Sequence, residues 1–117
     1  MKYRHYAPQA KLTLVMGKMD AVVYMINKLT ENKSKEKTAV IATSQTIHRY
    51  PNRQTLNLGD RENPESICAN LFRILRTCDE MGLEEIFAEG LEENGLGAAI
   101  MNRLKKASGY NIIRLNH

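Results

Sequence analysis

The sequence predicts an α/β fold: a three-layer Rossmann-like sandwich in which helices cover both faces of a mostly parallel sheet of about five strands. Three observations support this prediction. Short apolar or alternating runs recur along the chain, amphipathic helical patterns separate most of them, and several of the intervening turns contain glycine. Strands that alternate with helices require crossover connections, and these place helices on the faces of a parallel sheet.

The first half of the chain predicts three strands and one helix. Residues 11–16 (KLTLVM) alternate polar and apolar side chains, which is typical of a strand, and Gly17 ends the run. Residues 20–32 place apolar side chains at helical spacing. Residues 38–43 (TAVIAT) form the short apolar run of a buried parallel strand. A loop at 44–52 follows, and residues 54–58 predict a weaker third strand.

The second half predicts two helices and two strands. Asn63, Pro64 and Glu65 are typical of a helix start, since they supply a cap, a fixed φ and an acid near the positive end of the helix dipole. This helix runs to Met81, and its predicted buried stripe comprises Ile67, Leu71, Ile74, Leu75 and Cys78. Residues 85–89 predict a strand, and 111–115 predict the last strand. Residues 97–106 predict a helix with Ala98, Met101 and Leu104 on its buried face. The predicted order is therefore β-α-β-β-α-β-α-β.

Composition indicates one soluble cytoplasmic domain of 117 residues. No apolar run approaches the roughly 20 residues of a membrane span, so we expect no membrane association. Cys68 and Cys78 lie on the same predicted helix, about 15 Å apart at ~1.5 Å rise per residue, too far for a disulfide. We expect free thiols in a reducing compartment and no metal site, because no cluster has metal-ligand spacing.

The net charge of +4 is concentrated at the N-terminus. Residues 1–18 contain four of the 17 Lys and Arg residues and no acid, so the remaining 13 basic residues balance the 13 acidic ones. A general nucleic-acid binder spreads basic residues over a face of its fold. The pattern favours a small anionic ligand or a local acidic partner for an N-terminal arm at 1–10, and a solvated basic tail is the alternative interpretation. Because residues 19–117 are neutral, direct tRNA contact by the domain at 11–117 is not expected.

The octapeptide Met1–Pro8 (MKYRHYAP) carries recognition chemistry rather than a core pattern. Arg4 can bind phosphate bidentately, and the side chains of Tyr3, His5 and Tyr6 can stack on a base or form hydrogen bonds. The octapeptide resembles the linker of long-form threonylcarbamoyl-AMP synthases, which joins a YrdC-like catalytic domain to a C-terminal (Sua-five) accessory domain. Residues 95–107 (GLGAAIMNRLKKA) resemble the last helix of that domain. The catalytic domain lies outside this sequence, which we expect to be a piece of that enzyme or one product of a split gene.

The resemblance has consequences for function. It implies a Rossmann-like body, a catalytic domain as partner, and a parent nucleotidyltransferase that uses ATP as substrate. It also implies that the linker closes over ATP or threonylcarbamoyl-AMP, with Lys2, Tyr3, His5 and Tyr6 facing the nucleotide and Arg4 beside them. The chain itself supplies no catalytic residue set and binds no cofactor of its own, so we expect it to be inactive alone.

An alternative function is an independent nucleotide- or anion-sensing module. The loop Gly90–Gly97 follows a strand and opens a helix, where α/β proteins hold phosphates, and Gly90, Asn94, Gly95 and Gly97 are its candidate ligand-facing residues. The loop is not a G-x-G-x-x-G motif, Glu92 and Glu93 would repel an anion, and its glycines suit tight turns and close helix-sheet packing better than an anion site. A contact surface for the catalytic domain is a third interpretation of this loop. Gly17-Lys18 also precedes a helix, but a single glycine does not make a phosphate cradle. His48, Arg49 and Arg53 flank Tyr50-Pro51 in a loop that is either solvated or a site for phosphate or RNA.

Overall fold

Five parallel strands form the central sheet of the computed structural model, which describes residues 7–115. The strands are β1 (Lys11–Met16), β2 (Thr38–Ala42), β3 (Gln54–Asn57), β4 (Glu85–Glu89) and β5 (Ile112–Arg114). The helices are α1 (Met19–Thr30), α2 (Pro64–Glu80) and α3 (Leu96–Ala107), and a short 3-10 helix covers Ile47–Arg49. The predicted α/β class and element order are confirmed, with every boundary within two residues of its prediction.

The strands lie in the order β3-β2-β4-β1-β5, and every neighbouring pair is parallel. Strand β4 is central and pairs with β1 on one side, where Leu12 faces Ile86, and with β2 on the other, where Ala39 faces Ile86. Since all strands run the same way, their carboxyl ends share one edge of the sheet, here called the carboxyl edge. The loops that follow β1, β2 and β4 therefore meet at that edge.

Helices cover both faces of the sheet, as the sandwich prediction requires. Helices α2 and α3 pack on one face around a cluster that includes Leu14, Ile41 and Leu75. Helix α1 and the 3-10 segment cover the opposite face, where Val15, Val40 and Phe87 meet Ile26. Alternate residues of β1 and β2 thus belong to different clusters, as a strand covered on both faces requires.

Helix periodicity predicted most of the buried apolar residues on the helices. The five residues of the predicted stripe of α2 are all buried. For α3 the face was partly wrong: Met101 and Leu104 are buried, but Ala98 is exposed, because the helix turns Ile100 and Ala107 inward instead. A packed face is wider than the stripe of three residues predicted from sequence.

The chain is attached to the domain from Pro8 onward, at the amino edge of the sheet. Pro8 and Ala10 are buried, and the backbone N–H of Gln9 donates to Asp79 Oδ1 at 2.7 Å. Asp79 lies in the last turn of α2. The division of the chain at residue 10 stays a prediction, since residues 1–6 lie outside the described part.

None of the helices between residues 7 and 115 is both long and apolar enough to cross a bilayer.

Candidate functional site

A cavity of about 610 Å³ lies at the carboxyl edge of the sheet. Its floor is apolar and includes Met16, Ile67 and Ile100. Its rim is formed by the segments that begin the three helices: Gly17–Met19 before and at the start of α1, Arg61–Pro64 at α2, and residues between Gly90 and Gly97 at α3. None of the three helices has a side-chain hydrogen bond at its N-cap. A volume of this size is in the range of small-molecule sites.

Topology explains why a cavity forms at this place. Strands β1 and β4 are neighbours, but β1 leads to α1 on one face of the sheet and β4 leads to α3 on the other. The two outgoing loops therefore diverge and leave a crevice between the strand ends. Open α/β sheets bind ligands in the crevice at such a point.

A buried carboxylate cluster lies beside the cavity. Glu89, the last residue of β4, is 1% exposed, and its carboxylate accepts hydrogen bonds from three residues of the loop that follows β2. The hydroxyl of Thr46 donates at 2.6 Å to Oε1, with Oε2 at 2.7 Å, and the hydroxyl of Tyr50 donates to Oε2 at 2.5 Å. The backbone N–H and hydroxyl of Thr43 donate to Oε1 at 3.2 and 3.3 Å. This set of donors gives a buried charge the partners it requires.

Arg61 connects this cluster to the cavity. Its Nη2 lies 3.2 Å from Glu89 Oε1, and its Nε donates to Thr43 Oγ1 at 2.8 Å. Arg61 is also one of the residues that line the cavity. Glu89 and Thr43 therefore hold the Arg61 guanidinium in one orientation at the rim, since two hydrogen bonds fix the plane of this group.

The environment of Tyr50 shifts its titration strongly. Burial, together with the negative charge of Glu89 and the hydrogen bond to it, raises the pKa of the Tyr50 phenol far above its usual value near 10. Tyr50 therefore stays protonated and acts as a hydrogen-bond donor throughout the physiological pH range. Its role in the described structure is to hold the carboxylate.

The predicted glycine loop does line the cavity, through Gly90, Asn94 and Gly97. Two of its glycines also have packing reasons. A Cβ at Gly90 would lie 2.9 Å from Met16 Cγ and 3.1 Å from the Val15 carbonyl oxygen, and a Cβ at Gly97 would overlap the carbonyl oxygen of Glu92. Gly95 is the N-cap of α3 with φ of 54°, and does not line the cavity. A ligand role for these residues stays a prediction.

The other sequence candidates fall in different places. Lys2, Tyr3, Arg4, His5 and Tyr6 lie outside the described residues. The loop at 44–52 is not simply solvated, because Tyr50 is buried in the Glu89 cluster. Arg53 donates to Thr30 Oγ1 at 2.7 Å and to the Asn27 carbonyl at 3.0 Å, so it stabilises the end of α1. Among residues 7–115 no three His, Cys, Asp or Glu side chains form a group that could hold a metal ion.

Sequence reasoning missed Glu89 and Arg61. Position 89 was only the last residue of a predicted strand, and no element or role was predicted for Arg61. One signal was available: a central strand of a three-layer sandwich has both faces covered, so an acid within it needs buried donors. Those donors come from residues 28 to 46 positions away, which no local pattern reveals.

Comparisons with known proteins identify relatives over nearly the whole chain. Residues 1–109 match the family described as threonylcarbamoyl-AMP synthase, C-terminal domain. The threonylcarbamoyl-AMP synthase of Pyrococcus abyssi is 45% identical over 117 residues, covering 98% of this chain and 33% of the relative. The crystal structure of P. abyssi Sua5 complexed with L-threonine matches with a TM-score of 0.82 and 44% identity, covering 99% of this chain and 33% of that one. The C-terminal Sua5 domain from a hypothetical Pyrococcus horikoshii Sua5 protein matches with a TM-score of 0.71 and 35% identity, covering 93% of this chain and all of that one. The chain spans about a third of the length of the full-length relatives.

Proposed function

Because the chain belongs to the family of threonylcarbamoyl-AMP synthase C-terminal domains, we propose that it serves as the accessory domain of an L-threonylcarbamoyladenylate synthase. The observation that carries this proposal is the family match, which includes the N-terminal arm as well as the folded body. The partner in this proposal is a YrdC-like catalytic domain. The combined enzyme consumes ATP, L-threonine and bicarbonate and forms threonylcarbamoyl-AMP and pyrophosphate, for modification of tRNA in the cytoplasm.

The arm is the functional part of the accessory domain in this proposal. Lys2, Tyr3, Arg4, His5 and Tyr6 close over the nucleotide held by the catalytic domain. The described structure supports this role at one point: the last residues of the arm are anchored to the domain, where Pro8 is buried and Gln9 N–H donates to Asp79. An anchored base gives a short arm a fixed origin, which reduces the entropy lost when the arm closes.

The residue types of the arm suit closure over an adenylate. Tyr3 and Tyr6 stack on a base, and Lys2 and Arg4 neutralise phosphate. Threonylcarbamoyl-AMP is a mixed anhydride that water hydrolyses, and a closed arm excludes water from it. The body provides the anchor and contributes no catalytic group, so the chain alone forms no pyrophosphate.

A proteolysis experiment tests closure directly. Trypsin cleaves after Lys2 and Arg4, and both peptide bonds are accessible in an open arm. With the catalytic domain present, we expect ATP to slow cleavage after Arg4 at least tenfold, measured by mass spectrometry of the released peptides. Cleavage after Lys35, an exposed site in the α1–β2 turn, is the internal control and should keep its rate. Equal cleavage after Arg4 with and without ATP would contradict closure.

The second candidate function is an independent binding module, and the cavity at the carboxyl edge is the observation that favours it. The cavity lies at the opposite edge of the sheet from the anchor of the arm, about 17 Å away along the six residues of β1 at ~3.3 Å per residue. The substitutions Tyr3→Ala and Tyr6→Ala separate the two functions. Nucleotide binding by the isolated chain that survives both substitutions supports the module, and binding that is lost with them assigns it to the arm.

A further inference from the structure

We propose that the carboxyl-edge cavity binds a nucleoside monophosphate, with Arg61 and Lys18 on its phosphate and the apolar floor on its base. This inference rests on the second candidate function and names the ligand of that module. It is independent of closure by the arm, which is anchored at the other edge of the sheet.

Arg61 is the group best placed to recognise an anion. It lies at the cavity rim, its side chain is only 20% exposed, and Glu89 and Thr43 hold it by Nη2 and Nε. An arginine fixed in this way loses little side-chain entropy when it binds, so its remaining N–H groups are preorganised to donate to the oxygens of a phosphate. Lys18 lines the same cavity at the start of α1 and supplies a second cation.

The floor and the volume of the cavity suit a ligand with an apolar body. Met16, Leu91, Ile67 and Ile100 present hydrocarbon and sulfur to the interior. A free phosphate uses none of this surface, whereas the π-face of a base packs on methionine and aliphatic side chains. A volume of 610 Å³ accommodates a nucleotide.

The acidic residues of the rim select among nucleotides. Glu62 and Glu92 also line the cavity, so two carboxylates stand beside the two cations. Like charges within a few ångströms repel, and the repulsion increases with the number of phosphates. The lining therefore favours one phosphate group over a triphosphate, and the carboxylates can accept hydrogen bonds from ribose hydroxyls.

Calorimetric titration of the 117-residue chain with AMP, ATP, adenosine and inorganic phosphate tests the proposal. We expect saturable binding of AMP that is at least tenfold tighter than binding of ATP, adenosine or phosphate. Lys18→Ala should weaken AMP binding about three- to tenfold, since the side chain is exposed and carries one charge. Lys35→Ala removes an exposed lysine near the amino edge and should leave binding unchanged.

Glu92→Gln provides a test in which binding is expected to increase, so a loss of stability in the variant cannot imitate the expected result. This change removes an exposed negative charge from the rim and should strengthen ATP binding more than AMP binding, a gain that misfolding cannot produce. Arg61→Lys keeps the charge but loses the fork, so AMP binding should fall while the fold persists.

Three results of the titrations would contradict the proposal. AMP binding that is indifferent to Lys18→Ala and Glu92→Gln overturns the assignment to this cavity. Tighter binding of ATP than AMP overturns the monophosphate class but leaves the binding module standing. If none of the four probes binds, both the monophosphate site and the independent binding module are overturned. Closure of the arm, which is tested by proteolysis, is unaffected by that result.

Discussion

Tyr50→Phe tests whether the Glu89 cluster stabilises the domain at the carboxyl edge. The change removes one oxygen atom and keeps the ring, which is 3% exposed. In the wild type, Glu89 Oε2 accepts the phenol at 2.5 Å, and its other contact is the Thr46 hydroxyl, which it shares with Oε1. The variant leaves a buried carboxylate oxygen with only that shared donor.

The magnitude follows from the burial of the acceptor. A hydrogen bond to a buried charged group contributes about 1.5–3 kcal/mol to stability, so Tyr50→Phe should lower the free energy of unfolding by about that amount at pH 7. For a domain of this size the melting temperature should fall by roughly 5–15 °C. Urea denaturation followed by circular dichroism measures the loss. Tyr24→Phe is the matched control, because that ring is 63% exposed, and it should change stability by less than about 0.5 kcal/mol.

The same hydrogen bond predicts a dependence on pH. The pKa of Tyr50 is raised in the folded state, so the unfolded state loses its phenolic proton first, and stability falls as the pH rises above about 10. This group contributes a slope of up to about 1.4 kcal/mol per pH unit, which Tyr50→Phe removes. The difference between wild type and variant should therefore shrink above pH 10. A loss at pH 7 equal to that of Tyr24→Phe, or a constant difference up to pH 11, would refute the reasoning.

Three further predictions concern packing and surface groups. Gly97→Ala should destabilise the domain by at least 1–3 kcal/mol in urea denaturation, because the new Cβ would overlap the backbone of Glu92, while an unchanged midpoint would show that the loop relaxes freely. Burial raises the pKa of Cys78 to about 12, so its thiol should react with Ellman's reagent at pH 8 only at the rate of unfolding, and rapid labelling of Cys78 in the folded chain would contradict this. For the same reason the free energy of unfolding should fall as the pH rises from about 9 towards 12. Lys33→Ala removes a partly exposed ion pair with Glu85 and should cost less than about 1 kcal/mol, and a larger loss would show that the pair is less screened than its exposure indicates.

Hydrophobic periodicity was sufficient to predict the fold, because the buried side chains of this domain recur at the spacing of the helix or strand that carries them. The stripe of α2 and the apolar run of β2 each report which side chains face the core, and both were confirmed. The order of the strands was not predictable, since β4 inserts between β1 and β2 through contacts across the sheet that have no local signature.

The candidate site was predictable only in part. Gly90 and Gly97 signalled the loop that lines the cavity, because glycine next to a helix start is a local pattern. Glu89, Tyr50 and Arg61 come from three separate elements, and their convergence depends on how the chain folds between them. The residues of the arm were found by resemblance, and their role remains the proposal above.

Pyrophosphate release tests the accessory-domain proposal most directly. The matching catalytic domain, cut before the linker, is assayed with ATP, threonine and bicarbonate in the presence and absence of this chain, with a covalent fusion run in parallel. We predict that the chain restores activity in trans or, if tethering is required, in the fusion, and that Tyr3→Ala and Tyr6→Ala reduce the restored rate at least tenfold, whereas Tyr24→Phe does not. The proposal would be contradicted if the catalytic domain binds ATP but releases pyrophosphate at the same rate alone, mixed with this chain and fused to it. It would also be contradicted if the arm substitutions leave the rate of the fusion unchanged.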